Sequence, residues 1–481
     1  VNGLVLALDQ GGQTSRAIVF DGAGRVVAAH AVPVATHRPA PDRVEHDADE
    51  LAESLRAAIA GACQGLRRGS LFAAGLATQR STIACWDRQD GRALAPVLSW
   101  QDRRNAGWLA GLAPAASAIR ARTGLPLSPH YGASKLRWCL DHVPAVARAA
   151  RAGRLAAGPL AAFLLHRLLP QRPLVIDPAN ASRTQLLDLA TGSWSPELMR
   201  RFGIPAEVLP RPVPTRHAYG RLPTPAGPVP LVVCTGDQSA VPWATGALEP
   251  DTAYVNAGTG AFAQRPVGGM PPVAPELLAS VIWSNGRRTE YTLEGTINGG
   301  ASALAWLADQ AGVTMEALLA ANDREPAPPP LFLNTVGGLG SPWWTAGPAP
   351  AFVGPPASLA ARRLAVLESV VFMLAANLDA MARHAGPPAR LRLGGGLSRD
   401  PGFCRALAAV SDLPVWQADD AESTARGLAR LVAGPLARPW TPAPVRVWEP
   451  AADPDLDGRR AAWRQALATA VAATLAGARH G

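Results

Sequence analysis

The opening of the chain constrains its fold more than any other segment. Three β-prone runs, LVLALD, RAIVFD and RVVAAHAVPV, are joined by the short turns Gly11-Gly12-Gln13-Thr14 and Gly22-Ala23-Gly24. Glycine and small polar residues between apolar runs specify hairpins. Two hairpins in succession exclude a dinucleotide-binding start, in which the first strand runs straight into a helix. After them, DADELAESLRAAIAGACQGL has apolar residues at helical spacing and acids in its first turn, and LFAAGLAT reads as a buried strand. Hairpin-linked strands followed by alternating helix and strand predict an α/β domain with a mixed sheet.

A second cycle begins near Leu231. LVVCTGDQS, AYVNAGTGAFAQRP and YTLEG supply short strands separated by glycine turns, and ASALAWLADQAG and SLAARRLAVLESVVFMLAANLDAMARH supply helices. A chain of 481 residues is long enough for two cores. We expect a first domain over 1–240 and a second over 241–435. A proline-rich linker and a closing helix, packed on the second domain, are expected over 436–481.

The formal charge of +9 raises the question of a nucleic-acid partner, but the basic residues are dispersed and cluster only in pairs such as Arg67-Arg68 and Arg103-Arg104. A nucleic-acid surface gathers its basic residues with aromatics, so no such partner is expected. Nearly all are arginine, and Lys135 is the only lysine, a skew of the kind a GC-rich coding bias produces. Five scattered cysteines with no C-x-x-C pair indicate neither a disulfide framework nor a zinc site. The start VNGLVLALDQ lacks a charged leader region, and no charge-free apolar run is long enough to span a bilayer. A soluble cytoplasmic protein without a membrane partner is expected.

Chemistry gathers at the turns. Asp9 ends the first strand beside Gly11-Gly12, where free backbone amides can face an anion and a carboxylate can serve magnesium. Asn256-Ala257-Gly258-Thr259-Gly260 and Gly394-Gly395-Gly396-Leu397 repeat the arrangement. A hairpin turn is the commoner explanation of either of the first two alone, and the third stands between a strand and a helix; three in one chain favour a nucleotide cleft. Asp237, in Thr235-Gly236-Asp237-Gln238, is either a helix N-cap or a general base for a hydroxyl nucleophile.

In order, the segments LALDQGGQTSRAIVFD, RVEHDADEL, ATQRSTIACWDRQDGRALAPVLSWQDRR, TGLPLSPHYGASKLRW, DPANASRTQLLDL, TGDQSA, NAGTGAF, TLEGTINGGA, GGLGSPWW and GGGLSRD resemble the FGGY carbohydrate kinases, and among them the glycerol kinases. The resemblance is colinear over almost the whole chain. It implies a pair of actin-like, ribonuclease-H-like domains with Mg-ATP in the cleft, and a small polyol or sugar phosphorylated on a terminal hydroxyl. It assigns Asp237 as catalytic base and Asp9 to magnesium. Arg80, Ser81, Trp100, His130, Tyr131, Gln238 and Phe262 fall on acceptor-binding positions. Gly11, Gly12, Gln13, Thr14, Arg16, Gly258, Thr259, Gly300, Gly395 and Gly396 fall on nucleotide-binding positions.

Some positions depart from the family. Ser81 replaces a glutamate that holds glycerol hydroxyls, His130 stands at a tyrosine position with Tyr131 beside it, and the first turn loses two threonine hydroxyls. The altered stretch FVGPPASLAARR leaves the assembly, homodimer or homotetramer, open. Two rival readings follow: a pentulose kinase of the xylulose or ribulose type, and a catalytically silent metabolite sensor on the same fold.

Overall fold

The computed structural model describes residues 3–322, 328–418, 422–434 and 445–477. Strands β1 (Leu4–Gln10) and β2 (Thr14–Phe20) pair antiparallel across the first glycine turn, with Asp9 opposite Arg16, and β3 (Val26–Pro33) pairs with β2. Side-chain alternation sends Leu6 and Leu8 to one face and Val5 and Ala7 to the other, and all four are buried. A sheet covered on both faces has to read as a continuous apolar run, as LVLAL does.

Helix α1 (Ala48–Cys63) covers the Leu6 face. Asp47 accepts a hydrogen bond from the Glu50 N–H, and Asp49 and Glu50 occupy the first turn. Both features favour a helix N-terminus. Strand β4 (Leu71–Thr78) returns parallel to β1. A five-stranded sheet, from His37–Ala40 to Leu155–Pro159, and helix α2 (Gly132–His142) come next. Strands β5 (Arg216–Leu222) and β6 (Val229–Gly236) complete the main sheet, in the order β5-β6-β4-β1-β2-β3.

The second half repeats the plan. It comprises β7 (Thr252–Ala257), β8 (Ala261–Val267), β9 (Leu278–Ser284), β10 (Thr289–Ile297), α3 (Ala301–Ala311), α4 (Leu359–Ala385), β11 (Arg390–Gly394), α5 (Pro401–Ser411) and β12 (Val415–Ala418). Then come α6 (Ser423–Ala433), β13 (Val445–Trp448) and α7 (Pro454–Gly477). The sheet order is β9-β10-β8-β7-β11-β12-β13. In each half a strand has an antiparallel partner across a glycine turn on one side and two successive parallel strands on the other. This is the two-domain actin-like architecture.

Helix α4 is long and apolar enough to cross a bilayer by length and composition, yet 83% of that window is buried. Val366, Val370, Leu374 and Met381 make it the central helix of the second core.

Two details add to the expected organisation. Helix α6, placed by the sequence reading in the second domain, packs on the first sheet, where Ala425, Leu428, Ala429 and Val432 meet Val5, Ala7 and Phe20. The stretch read as a linker contributes β13, paired antiparallel with β12 at the sheet edge; its remainder, 435–444, lies outside the described residues. The closing helix does pack on the second core, through Leu456, Trp463 and Leu467.

A methyl group at Gly427 in α6 would sit 1.9 Å from the Ala240 carbonyl oxygen. Gly427→Ala is expected to destabilise the fold by about 1–3 kcal/mol through overpacking. The measurement is a lower thermal midpoint, with loss of activity because the displaced segment begins at Asp237.

Candidate active site

Asp9 and Asp237 leave the ends of β1 and β6, on either side of β4, so sheet order alone brings the two carboxylates together. Asp9 is 8% exposed, and burial, reinforced by the charge of Asp237, pushes its carboxyl up to about 7. Asp237 is half-buried. Its Oδ1 accepts the Gln238 backbone N–H at 2.7 Å and lies 3.9 Å from Arg80 Nε. Burial raises its pKa and the Arg80 guanidinium partly offsets that. Two carboxylates that repel each other in a partly dry cleft are a fit donor set for magnesium, which is usually held by one or two carboxylates and otherwise by water and phosphate oxygens.

Arg80 is 7% exposed and reaches across the cleft. It donates to both oxygens of Glu294 on β10, at 2.7 and 3.1 Å. Arg183 donates to the same carboxylate at 3.2 Å and to Ser280 Oγ at 2.8 Å. Burial opposes the charge on Glu294, but the two guanidiniums outweigh it and hold the carboxyl below its ordinary value. Glycine makes room for Arg80 on one side and for Asn377, beside Glu294, on the other. A Cβ at Gly236 would lie 2.5 Å from Arg80 Cδ, and one at Gly295 would lie 2.4 Å from Asn377 Oδ1.

The aromatic side of the site is continuous. Trp100 and His130 have ring centroids 5.5 Å apart, His130 and Tyr131 4.9 Å, and the Arg183 guanidinium lies 5.5 Å over the Tyr131 ring. Burial, with Lys135 and Arg183 nearby, pushes the His130 imidazole well below its ordinary pKa. Ser81 sits in the left-handed region at φ 64°, and its buried hydroxyl has no hydrogen-bond partner among the described residues. Phe262 makes no ring contact with this group among the described residues; it approaches Gly260 instead.

The glycine turns of the second half pack against one another. Ala301 N–H donates to Gly258 O at 2.8 Å, and Gly300 N–H to Thr259 O at 3.1 Å. A Cβ on Gly300 would lie 2.6 Å from Gly258 O, and one on Gly395, at φ 92°, would lie 2.5 Å from Ala257 O. Only glycine allows these turns to touch. A Cβ on Gly396 would enter open space and one on Gly258 would meet nothing nearer than 3.9 Å, which leaves room for a phosphate to approach backbone amides. Asn256 Nδ2 donates to Gln238 Oε1 at 3.3 Å, tying this corner to the Asp237 segment. In the first turn, Gly11 N–H donates to Thr14 O at 3.0 Å and Gln13 is exposed, while Arg16 pairs with Glu422 at 3.0 Å.

Arg183, Glu294 and Ser280 were given no role by the sequence reading. The available signal was a lone acid in YTLEGTI, a strand otherwise apolar or small enough to be buried, and Arg183 in the polar run NASRT.

Two measurements follow. Glu294→Gln strips the counter-charge from two buried guanidiniums and is expected to cost about 3–5 kcal/mol, read as a lower thermal midpoint. Asp9 behaves oppositely. A carboxyl held near 7 destabilises the folded protein progressively as pH rises from the unfolded value near 4 towards 7, by about 4 kcal/mol in all. Asp9→Asn is therefore expected to raise the thermal midpoint at pH 8 and leave it almost unchanged at pH 4.

Comparison with known proteins agrees with this geometry. Residues 4–242 match the N-terminal domain, and 253–434 the C-terminal domain, of the FGGY family of carbohydrate kinases. The glycerol kinase of Rhodospirillum centenum is 35% identical over 444 residues, 89% of this chain and 88% of its own length. The crystal structure of Plasmodium falciparum glycerol kinase with ADP superposes with a TM-score of 0.88 at 21% identity, covering 98% of both chains. A ligand-bound xylulose kinase from Lactobacillus acidophilus gives 0.84 at 19% identity, covering 99% of this chain and 98% of its own. With both domain matches in order and the cleft built between them, the chain belongs to the FGGY family of carbohydrate kinases and is an ATP-dependent kinase.

Proposed function

We propose that the protein transfers a phosphoryl group from ATP to a terminal hydroxyl of a small polyol or ketose, with Asp237 as general base, in the cytoplasm. The observation that carries this reading is the position of Asp237. It is half-buried at the end of β6, bonded to the Gln238 N–H, and beside an arginine that the second domain holds in place. A carboxylate there can accept the proton of an acceptor hydroxyl as the new bond forms.

When bound, ATP supplies the phosphoryl group and magnesium offsets its charge. Asp9, with Asp237 behind it, would hold the metal. The turns at Gly11-Gly12-Gln13-Thr14, Gly258-Thr259, Gly300 and Gly395-Gly396 would bind the nucleotide through backbone amides, with Arg16 at the phosphates. Arg80, Gln238, Trp100, His130 and Tyr131 would orient the acceptor. Closure of the two domains would exclude water and so favour transfer over hydrolysis.

The relatives named glycerol kinase favour a polyol of about this size. Ser81 favours a second reading, a pentulose acceptor. Its hydroxyl is buried without a partner among the described residues, and serine stands where the family resemblance places a glutamate in glycerol kinases. An unmet buried hydroxyl costs about 1–3 kcal/mol, enough to reorder acceptor preference.

Coupled ADP release with Mg-ATP against glycerol, other polyols and pentuloses tests both readings. Acceptor-dependent turnover is expected, and Asp237→Asn should lower kcat by about 100-fold or more. Because burial holds the Asp237 carboxyl above its ordinary pKa, kcat should fall with decreasing pH at a midpoint above the usual carboxylate range. Binding of ATP without turnover for any acceptor would replace the kinase by the silent sensor.

A further inference from the structure

Of the forty-six lysine and arginine residues in the chain, one is a lysine, Lys135, in helix α2. That lysine is 1% exposed. Its described hydrogen-bond partners are two backbone carbonyls: Nζ donates to Ser81 O at 3.1 Å and to His130 O at 2.5 Å. No carboxylate pairs with it among the described residues. Burial draws its pKa down to about 7, with Asp102 opposing and Arg104 and Arg103 adding to the effect.

The two carbonyls belong to the two loops that carry the acceptor-side residues. One loop contains Arg80 and Ser81, with Ser81 in the left-handed conformation that a non-glycine residue adopts only under constraint. The other contains His130 and Tyr131, whose rings pack with Trp100 and under Arg183. Each loop can keep its conformation only if its carbonyl has a donor in this dry interior.

The site also suits lysine better than arginine. A guanidinium has five N–H donors and does not lose its charge, so two acceptors would leave three buried donors unmet. A primary amine has three donors when charged and two when neutral, and two carbonyls accept here. The one position where the chain keeps lysine is therefore one that arginine cannot fill.

We propose that Lys135 is a positioning residue for the acceptor pocket: its Nζ fastens the Ser81 loop to the His130 loop and so fixes acceptor affinity without touching acceptor or nucleotide. This rests on the kinase reading given above.

The test compares native protein with Lys135→Met and Lys135→Arg, using the acceptor with the highest native turnover. Steady-state kinetics are paired with calorimetric titration of that acceptor and of a non-hydrolysable ATP analogue. The expected result is an acceptor KM and Kd raised at least about tenfold in both variants, with nucleotide affinity within about twofold of native. Arginine is expected not to rescue. Unchanged acceptor affinity in Lys135→Met, restoration by arginine, or parallel loss of acceptor and nucleotide binding would each overturn the proposal. Should Lys135→Met not fold, Lys135→Gln takes its place under the same limits. Failure of all three variants to fold would assign Lys135 to the core alone and overturn the proposal too. A native protein with no acceptor turnover would instead defeat the kinase reading, so the two failures are distinguishable.

Discussion

One buried carboxylate fixes the relation between the two halves. Glu294 extends from the second sheet, and both arginines that meet it, Arg80 and Arg183, come from turns of the first half. An ion pair deep in a protein loses hydration on both partners, and the loss is offset only by good geometry and further hydrogen bonds. Here the Arg80 contact is bidentate and Arg183 adds Ser280. The geometry tolerates little displacement, because a shift of either sheet leaves charges unmatched in a dry cleft. Asp237 is placed by the same network, since its nearest cation is the Arg80 that Glu294 holds. Gly236 and Gly295 belong to the same solution, each adjoining one of the charged segments where a Cβ would collide.

Around that contact the fold places two equivalent corners face to face. β1 turns into β2 at Gly11-Gly12, and β7 turns into β8 at Gly258-Gly260. In both halves the central strand has an antiparallel neighbour on one side and a parallel one on the other. Strand ends at such a change of direction leave backbone groups without ladder partners, which is why ligands gather there. α6 keeps the halves from being independent: it follows the second sheet in sequence yet seals a face of the first.

Much of this was legible in the sequence, and the parts that were not share a cause. The meander, the buried strand at 71–78 and helix α4 match the sequence reading, because each is written in local periodicity and turn chemistry, whereas the second cycle, expected from near Leu231, starts at Thr252: β6, which holds Leu231, completes the first sheet. Asp9, Asp237 and the glycines stand out because strand ends and turns expose them in the pattern, and the family resemblance is what assigns them roles. The return of α6 to the first sheet left no local mark: ARGLARLVAG is an amphipathic helix whichever sheet it covers. Arg183 and Glu294 were missed for a related reason, since 111 residues separate them and a pairing across domains has no periodicity. Lys135 was visible from the start as the only lysine, but a composition argument explains why lysines are rare and gives no account of the one that remains.

Three groups at odds with their surroundings lie at the cleft or directly behind its loops. Asp9 is held near neutrality beside another carboxylate, Lys135 is held near loss of its charge, and Ser81 combines a left-handed backbone with an unmet hydroxyl. Each condition disfavours the folded, ligand-free protein, and sites that carry strain of this kind are where ligand binding relieves it. A cation would favour the Asp9 anion, and an acceptor hydroxyl would give Ser81 a partner. Part of the binding energy of metal and acceptor is then already set aside in the fold, and the Glu294 ion pair is what allows so much local cost to persist in one place.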